Sequence, residues 1–280
     1  MRIISENQIS ELVRSLFLRC AYCVTPDVER AVRSALDAEE SPAGKAALAQ
    51  ILENHRIAKE QRLPICQDTG MAVIFAKVGC EAVIDGDFNA AANRGVRKAY
   101  AEGFLRKSVV TDPLYERRNT MDNTPAILHV ELVPGDGIEL FVTAKGFGSE
   151  NMSAIRMLSP GEGERGVVDF VVETVKKAGP NPCPPVIVGV GIGGTMEYAA
   201  LLAKKAALRE LGSHNEDPRY AALEEELLQR INRLGIGPAG IGGRNTALGV
   251  NVLFAPTHIA GLPVAVNICC HAARHARGSI

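Results

Sequence analysis

Apolar residues recur at helical spacing through the first sixty positions and then give way to short strand-like runs. This change of period is what most constrains the fold. In ISELVRSLFLRC, the residues Ile9, Leu12, Val13, Leu16, Phe17 and Cys20 fall on one helical face. TPDVERAVRSAL repeats the stripe with Val28, Val32, Ala35 and Leu36, and it opens with Thr25 at the N-cap and Pro26 at the first helical position. Ser41 and Pro42 reuse that device ahead of a third helix. Residues 1–60 are therefore expected to form a helical N-terminal part, with no chemistry visible in it.

Beyond it the pattern is mixed. MAVIFAKVG reads as a strand and DFNAAANRGVRKAYAEGFL as a helix. AILHVELV and IELFVTAKG read as two strands joined by PGDG, the signature of a hairpin. VVDFVVETVKKAG reads as a helix closed by glycine, and PVIVGV as a short buried strand. Two helices are expected around 196–211 and 217–234, followed by strands in NTALGVNVLFA and LPVAVNI. No repeat, low-complexity tract or linker breaks the chain. The expected fold class is α/β (mixed α+β), a single domain over residues 1–280 whose mixed sheets are covered by helices. At 46% hydrophobic residues, the chain can bury a core of that size.

Charge and hydropathy exclude several function classes. A net charge of −1 gives no bulk attraction to nucleic acid or to an anionic membrane surface. No apolar run approaches the ~18 residues of a membrane span. The opening MRIISENQISELVRS lacks the apolar stretch of a signal peptide, so a cytoplasmic location is expected. In a reducing compartment the odd count of seven cysteines argues against a disulfide framework. Cys20 and Cys23 form a C-x-x-C, but no second pair completes a zinc site and no strand precedes it; they read as one buried helix face. GVGIGG and GIGPAG both fit G-x-G-x-x-G, yet neither stands in the βαβ unit that dinucleotide binding needs. Their glycines read instead as places where backbone must pass close to something.

Three cysteines have different surroundings. Cys66 lies in PICQDTG, Cys183 in the proline-flanked NPCPP, and Cys270 in CCHAAR, each at the end of an element where a loop can present a side chain. Cys269 and Cys270 are adjacent, and a bridge needs Cα atoms about 5.5–6 Å apart, so a bond between them is disfavoured. One of the two is the candidate ligand. Three thiolates suit an iron–sulfur cluster that leaves one iron unligated by protein. Such an iron can act as a Lewis acid on an organic acid.

The motifs PICQDTG, RRNTMDNTPA, KGFGSENMS, NPCPPVIVGVGIGGT, GIGPAGIGGRNTALGVNV, HIAGLPVAVN and CHAAR occur in this order. In them the chain resembles the class I, iron–sulfur-dependent fumarate hydratases and the similar L-tartrate dehydratase α subunits. The resemblance implies a 4Fe-4S cluster held by Cys66, Cys183 and Cys270, with Cys269 standing where the family's N-x-Q-C pattern has glutamine. It implies reversible hydration of a dicarboxylic acid, fumarate to (S)-malate, with L-tartrate dehydration as the alternative and a non-enzymatic iron–sulfur protein as a remote one. Asp68 is then the acid–base candidate, and Gln67 a hydrogen-bonding partner of the substrate. His258 would orient a carboxylate or relay a proton, and Arg117, with Arg118 as rival, would pair with a carboxylate. Gly146 would let backbone N–H groups approach the substrate. Lys145 is a weaker candidate, since a strand-end lysine is usually solvated. A separate β subunit and an α2β2 assembly complete the expectation.

Overall fold

The computed structural model describes residues 2–280. In chain order the elements are β1 (Arg2–Ser5), α1 (Glu6–Tyr22), α2 (Pro26–Ala38), α3 (Pro42–Gln61), β2 (Met71–Gly79), β3 (Ala82–Asp85), α4 (Phe88–Glu102), β4 (Ile127–Val133) and β5 (Ile138–Lys145). The single turn α5 (Phe147–Glu150) leads to β6 (Ala154–Leu158), α6 (Gly163–Ala178), β7 (Val186–Gly194), α7 (Met196–Ala206), α8 (Pro218–Asn232), β8 (Ala247–Thr257), β9 (Leu262–Cys269) and β10 (His275–Ser279). Helices and mixed sheets bear out the α/β class. The N-terminal part is helical as expected except for β1, four residues too short to show a period. Contacts divide the chain into two compact units: residues 1–25, 54–147 and 274–280, and residues 26–53 and 148–273.

The first unit is built on a four-stranded sheet in the order β10-β5-β2-β4. β5 runs antiparallel to both β10 and β2, whereas β4 runs parallel to β2. Helix α1 lies across β5 and β10 and packs on α4, so Phe17 and Tyr100 meet Ile74, Leu140 and Val142 in one core. Ser5 caps α1 through a capping box with Gln8. The α1–α4 crossing is tight because α4 carries Gly95: a Cβ there would stand 2.5 Å from the Ser10 carbonyl oxygen and 2.7 Å from the Val13 Cβ.

The expected hairpin is not formed. β4 and β5 lie on opposite sides of β2, and the PGDG turn crosses the end of β2 instead of pairing its own flanks. Gly79 makes this crossing feasible, since a Cβ there would come 2.3 Å from the Gly135 carbonyl oxygen. Gly79, Cys80 and Glu81 then donate their N–H groups to Gly137, Val133 and Gly135. β2 is apolar on both faces and takes an interior position, whereas β4, with no fully buried residue, lies at the edge.

The second unit has a sheet in the order β6-β9-β7-β8, with β9 antiparallel to β6 and β7, and β8 parallel to β7. Val188, Val190 and Ile192 of β7 face α6 and α8, where Val171, Leu227 and Ile231 complete the core. The alternate residues Gly189 and Gly191 face α7. A Cβ at either would lie 2.1 or 2.0 Å from the carbonyl oxygens of Ala203 or Ala199. GVGIGG is thus a helix-packing surface, as a close backbone approach requires. The glycine-rich stretch 235–243 wraps a buried carboxylate instead: Glu39 accepts the N–H groups of Arg244, Asn245 and Ser41 and the Asn245 amide. Burial alone would raise the Glu39 carboxyl. The Asn245 amide and those backbone donors outweigh it and hold the group down at about 2.

Candidate active site

In the first unit the candidate residues gather where β2 begins and β5 ends, positions that face each other because Met71 pairs with Lys145. Asp68 accepts the Gly70 N–H at 3.0 Å on Oδ1 and the Phe147 N–H at 2.8 Å on Oδ2. The Asp68 carbonyl accepts from Nη1 of Arg274. Gly70 sits at φ +80, and a Cβ on it would stand 2.6 Å from the Ala144 carbonyl carbon. The Tyr100 hydroxyl lies 2.9 Å from the carbonyls of both Thr69 and Gly70, and burial pushes that phenol up, so it stays a donor. Buried Asn123 ties the same turn to Ser108 and Val109, donating to Gly70 at 3.1 Å and accepting from Ser108 at 2.7 Å. The result is a carboxylate whose direction is set by its surroundings, beside a cysteine two residues back. Cys66 is half-buried, its thiol 3.4 Å from the exposed Gln67 side-chain oxygen.

Gly146 is buried between the charged groups. A Cβ there would stand 2.9 Å from Arg274 Nη2 and 3.2 Å from Asp68 Oδ2. Two cations that the sequence reading discounted or passed over belong to this corner. Lys145 is 3% exposed and donates to the Gly146 carbonyl at 3.2 Å, contrary to the solvated lysine expected. Arg274, the last residue of CHAAR, is also 3% exposed, and its Nε makes no hydrogen bond. Thr143 and Ala144 both donate to the Arg274 carbonyl, at 2.9 and 3.0 Å. A buried guanidinium with an unsatisfied N–H is costly, which suits the corner to an anion. The Arg106 carbonyl accepts from the Thr69 hydroxyl at 2.8 Å, one residue from Asp68. Arg117 sits at φ +50 and donates to Pro113 within its own loop, while Arg118 is an exposed partner of Glu116. Among the described residues no hydrogen bond or ion pair links either of them to the Asp68 turn.

The second unit places thiols at the matching corner of its own sheet. Cys183 is exposed, three residues before β7, and its φ of +55 is rare outside glycine. Backbone bonds on either side hold it there: Cys183 N–H to the Pro180 carbonyl at 3.1 Å, and Ala239 N–H to the Pro184 carbonyl at 2.8 Å. Cys269 ends β9 opposite Ile187 with its side chain buried, and Cys270, just past the strand, is half-buried. Asn267 on the same strand donates to Glu150 at 3.0 Å, and Ser153 accepts the Ile268 N–H at 3.1 Å. Glu150 and Ser153 are thus fastened to the strand that precedes Cys270. His258 is exposed in the turn between β8 and β9, its Nδ1 accepting the Ala260 N–H at 3.2 Å.

All seven cysteines are thiols outside any disulfide. Cys20 is wholly buried, donates to the Phe17 carbonyl at 3.4 Å, and is pushed up to about 12 by burial, so it is an inert core group. Among the described residues no three His, Cys, Asp or Glu side chains stand close enough to share a single metal ion. A cluster makes a different demand, because each thiolate binds its own iron and the sulfurs need not converge on one point. Cys66, Cys183 and Cys270, at least partly exposed on loops, fit that donor chemistry, as exposure alone would also allow for Cys23 and Cys80; the buried Cys20 and Cys269 do not. No described helix is long and apolar enough to cross a membrane.

The sequence profile of the Fumarate hydratase (Fumerase) family matches residues 10–279. The chain belongs to that family and is an enzyme of the hydro-lyase type. It is 42% identical over 275 residues to a Methanocaldococcus jannaschii protein provisionally named L(+)-tartrate dehydratase subunit alpha, covering 96% of each chain. It is 34% identical over 276 residues to the L(+)-tartrate dehydratase subunit alpha of Escherichia coli K12, covering 98% of this chain and 90% of that one.

Proposed function

We propose that this chain is the α subunit of a cytoplasmic hydro-lyase that reversibly adds water to fumarate, giving (S)-malate, and that its two units act together as one catalytic domain. The observation that carries the reading is the family match across residues 10–279, which contains the Asp68 turn and all three loop cysteines. Cys66, Cys183 and Cys270 would hold a 4Fe-4S cluster, with Cys269 left as a buried neighbour. Bound there, the cluster supplies Lewis acidity from an iron that no side chain of this protein occupies.

The chain's own residues would do the rest. In the dehydration direction a proton leaves C3 of malate and hydroxide leaves C2, so the products are fumarate and water. Asp68 would hold or move the C3 proton, its carboxylate already aimed by the Gly70 and Phe147 N–H groups. Charge developing on the adjacent carboxylate needs fixed donors. The backbone at Gly146 would offer one and Gln67 another, while Arg117 would pair with a substrate carboxylate. His258 would orient the second carboxylate or relay a proton. A separate β subunit would complete the site in an α2β2 assembly.

L-(+)-tartrate is the second reading, favoured by the names of the two relatives described above. It differs from malate by one hydroxyl, and its dehydration gives oxaloacetate and water. Turnover of fumarate, (S)-malate and L-tartrate by the anaerobically reconstituted complex with its β subunit separates the two. Faster turnover of fumarate supports the first reading, and faster turnover of tartrate supports the second. No turnover of any of the three overturns both.

A further inference from the structure

Strand β4 is the open edge of the first unit's sheet, and its seven residues ILHVELV read the same in chemical type from either end. Ile127, Val130 and Leu132 are 42%, 53% and 74% exposed. A long apolar edge is ordinarily blunted by lysine, proline or a bulge. β4 contains neither residue and pairs with β2 in unbroken register. His129 stacks on Phe75 of β2 at 5.2 Å between ring centroids, which holds its ring at this edge.

We infer that two copies of this chain join edge to edge through β4, antiparallel about a two-fold axis at Val130. In that register Ile127 faces Val133, Leu128 faces Leu132 and His129 faces Glu131, each twice. One face of the joint is wholly apolar, with residues 128, 130 and 132. The other carries two His–Glu pairs between apolar ends. Register matters: centring on residue 131 sets Glu131 against itself, and centring on 129 sets His129 against itself. Only the Val130 register pairs complementary groups, and directly opposed side chains are the unit of sheet pairing. A contact that repeats itself under a two-fold axis closes a dimer and leaves no β4 edge for a third copy. It would also cover three exposed apolar side chains. The inference rests on the α2β2 reading only for its stoichiometry; it supplies the contact between the two α chains.

The test is the mass of the complex purified with its β subunit, followed by sedimentation velocity across a dilution series. Wild type is expected to run as α2β2. His129→Glu opposes two pairs of carboxylates and should split the complex into αβ, raising the dissociation constant at least about tenfold, in line with the cost of like charges directly opposed. His129→Lys loses the same ring stack but sets a cation against Glu131, and it should stay assembled. The double variant His129→Glu with Glu131→Lys restores opposite charges and should reassemble. An α2β2 complex that is indifferent to His129→Glu overturns the β4 contact and leaves the stoichiometry standing. A wild-type complex of αβ mass overturns both. Loss of the β subunit with the two α chains still joined would assign this edge to the β subunit and overturn the inference.

Discussion

The two units carry the same sheet in different settings. Each has a central strand, β2 or β7, with an antiparallel neighbour on one side and a parallel edge strand on the other. In each, a fourth strand lies antiparallel beyond that neighbour; it is the last strand of the first unit and the first of the second. In each, candidate residues stand where the central strand begins and its antiparallel neighbour ends; Arg117, Arg118 and His258 lie elsewhere. The contents of that corner differ. The first unit holds a carboxylate, a thiol and two buried cations in a web of side-chain hydrogen bonds. The second holds thiols: backbone bonds and flanking prolines fix Cys183, and Asn267, Glu150 and Ser153 tie down the strand before Cys270. In the first unit polar side chains hold the Asp68 turn, and in the second a stiff backbone presents the Cys183 thiol.

The comparison breaks most sharply at the thiols. Cys66→Ser, Cys183→Ser and Cys270→Ser are each expected to lower turnover of the holoenzyme by about 10³-fold, or about 4 kcal/mol of barrier, whereas Cys269→Ser stays within about threefold. A loss at Cys269 instead of Cys270 would reverse the assignment of that pair. The next effect belongs to the second unit alone. Glu39→Gln is expected to destabilise the fold by about 3 kcal/mol at pH 7, read by chemical denaturation. The Glu39 carboxyl lies at about 2 when folded against an ordinary 4.5, so its contribution is present above pH 4.5 and fades as pH falls toward 2. The variant and the wild type should converge in acid.

Close helix packing gives a smaller, matched pair of tests. Gly95→Ala presses on the Ser10 carbonyl and Gly191→Ala on the Ala199 carbonyl, and each is expected to cost about 2 kcal/mol. Hydrogen exchange should localise the loosening to the unit that carries the change; spread over both would show that the units do not open separately. Gly146→Ala is the mildest. Its Cβ meets the ends of two side chains that can shift, so kcat/KM should fall about tenfold, about 1.4 kcal/mol, with the denaturation midpoint nearly kept.

Much of this was legible in the sequence, and the failures share a cause. Helices announced themselves through one-sided stripes and Ser–Pro starts; Ser41 does accept the Gly44 N–H at 3.2 Å. The central strands showed as continuous apolar runs. Strand partners did not, because PGDG suits a tight hairpin and a crossing over the end of another strand equally well. Nothing local in RIIS or HARGS marks β1 or β10. At the site, Gly146 lies beside the Asp68 carboxylate. Lys145 and Arg274 escaped because a charged residue at a strand end is normally solvated, and their burial depends on the Asp68 turn arriving from elsewhere in the chain. Arg117, which the motif also marks, donates to Pro113 within its own loop.

The most direct test of the central claim is Mössbauer spectroscopy of the anaerobically reconstituted, ⁵⁷Fe-labelled complex, before and after adding (S)-malate and then L-tartrate. A four-iron cluster is expected in which one iron site changes its signal when substrate binds while the other three stay as they were. Zinc in place of iron, or four equivalent irons indifferent to either acid, would contradict it.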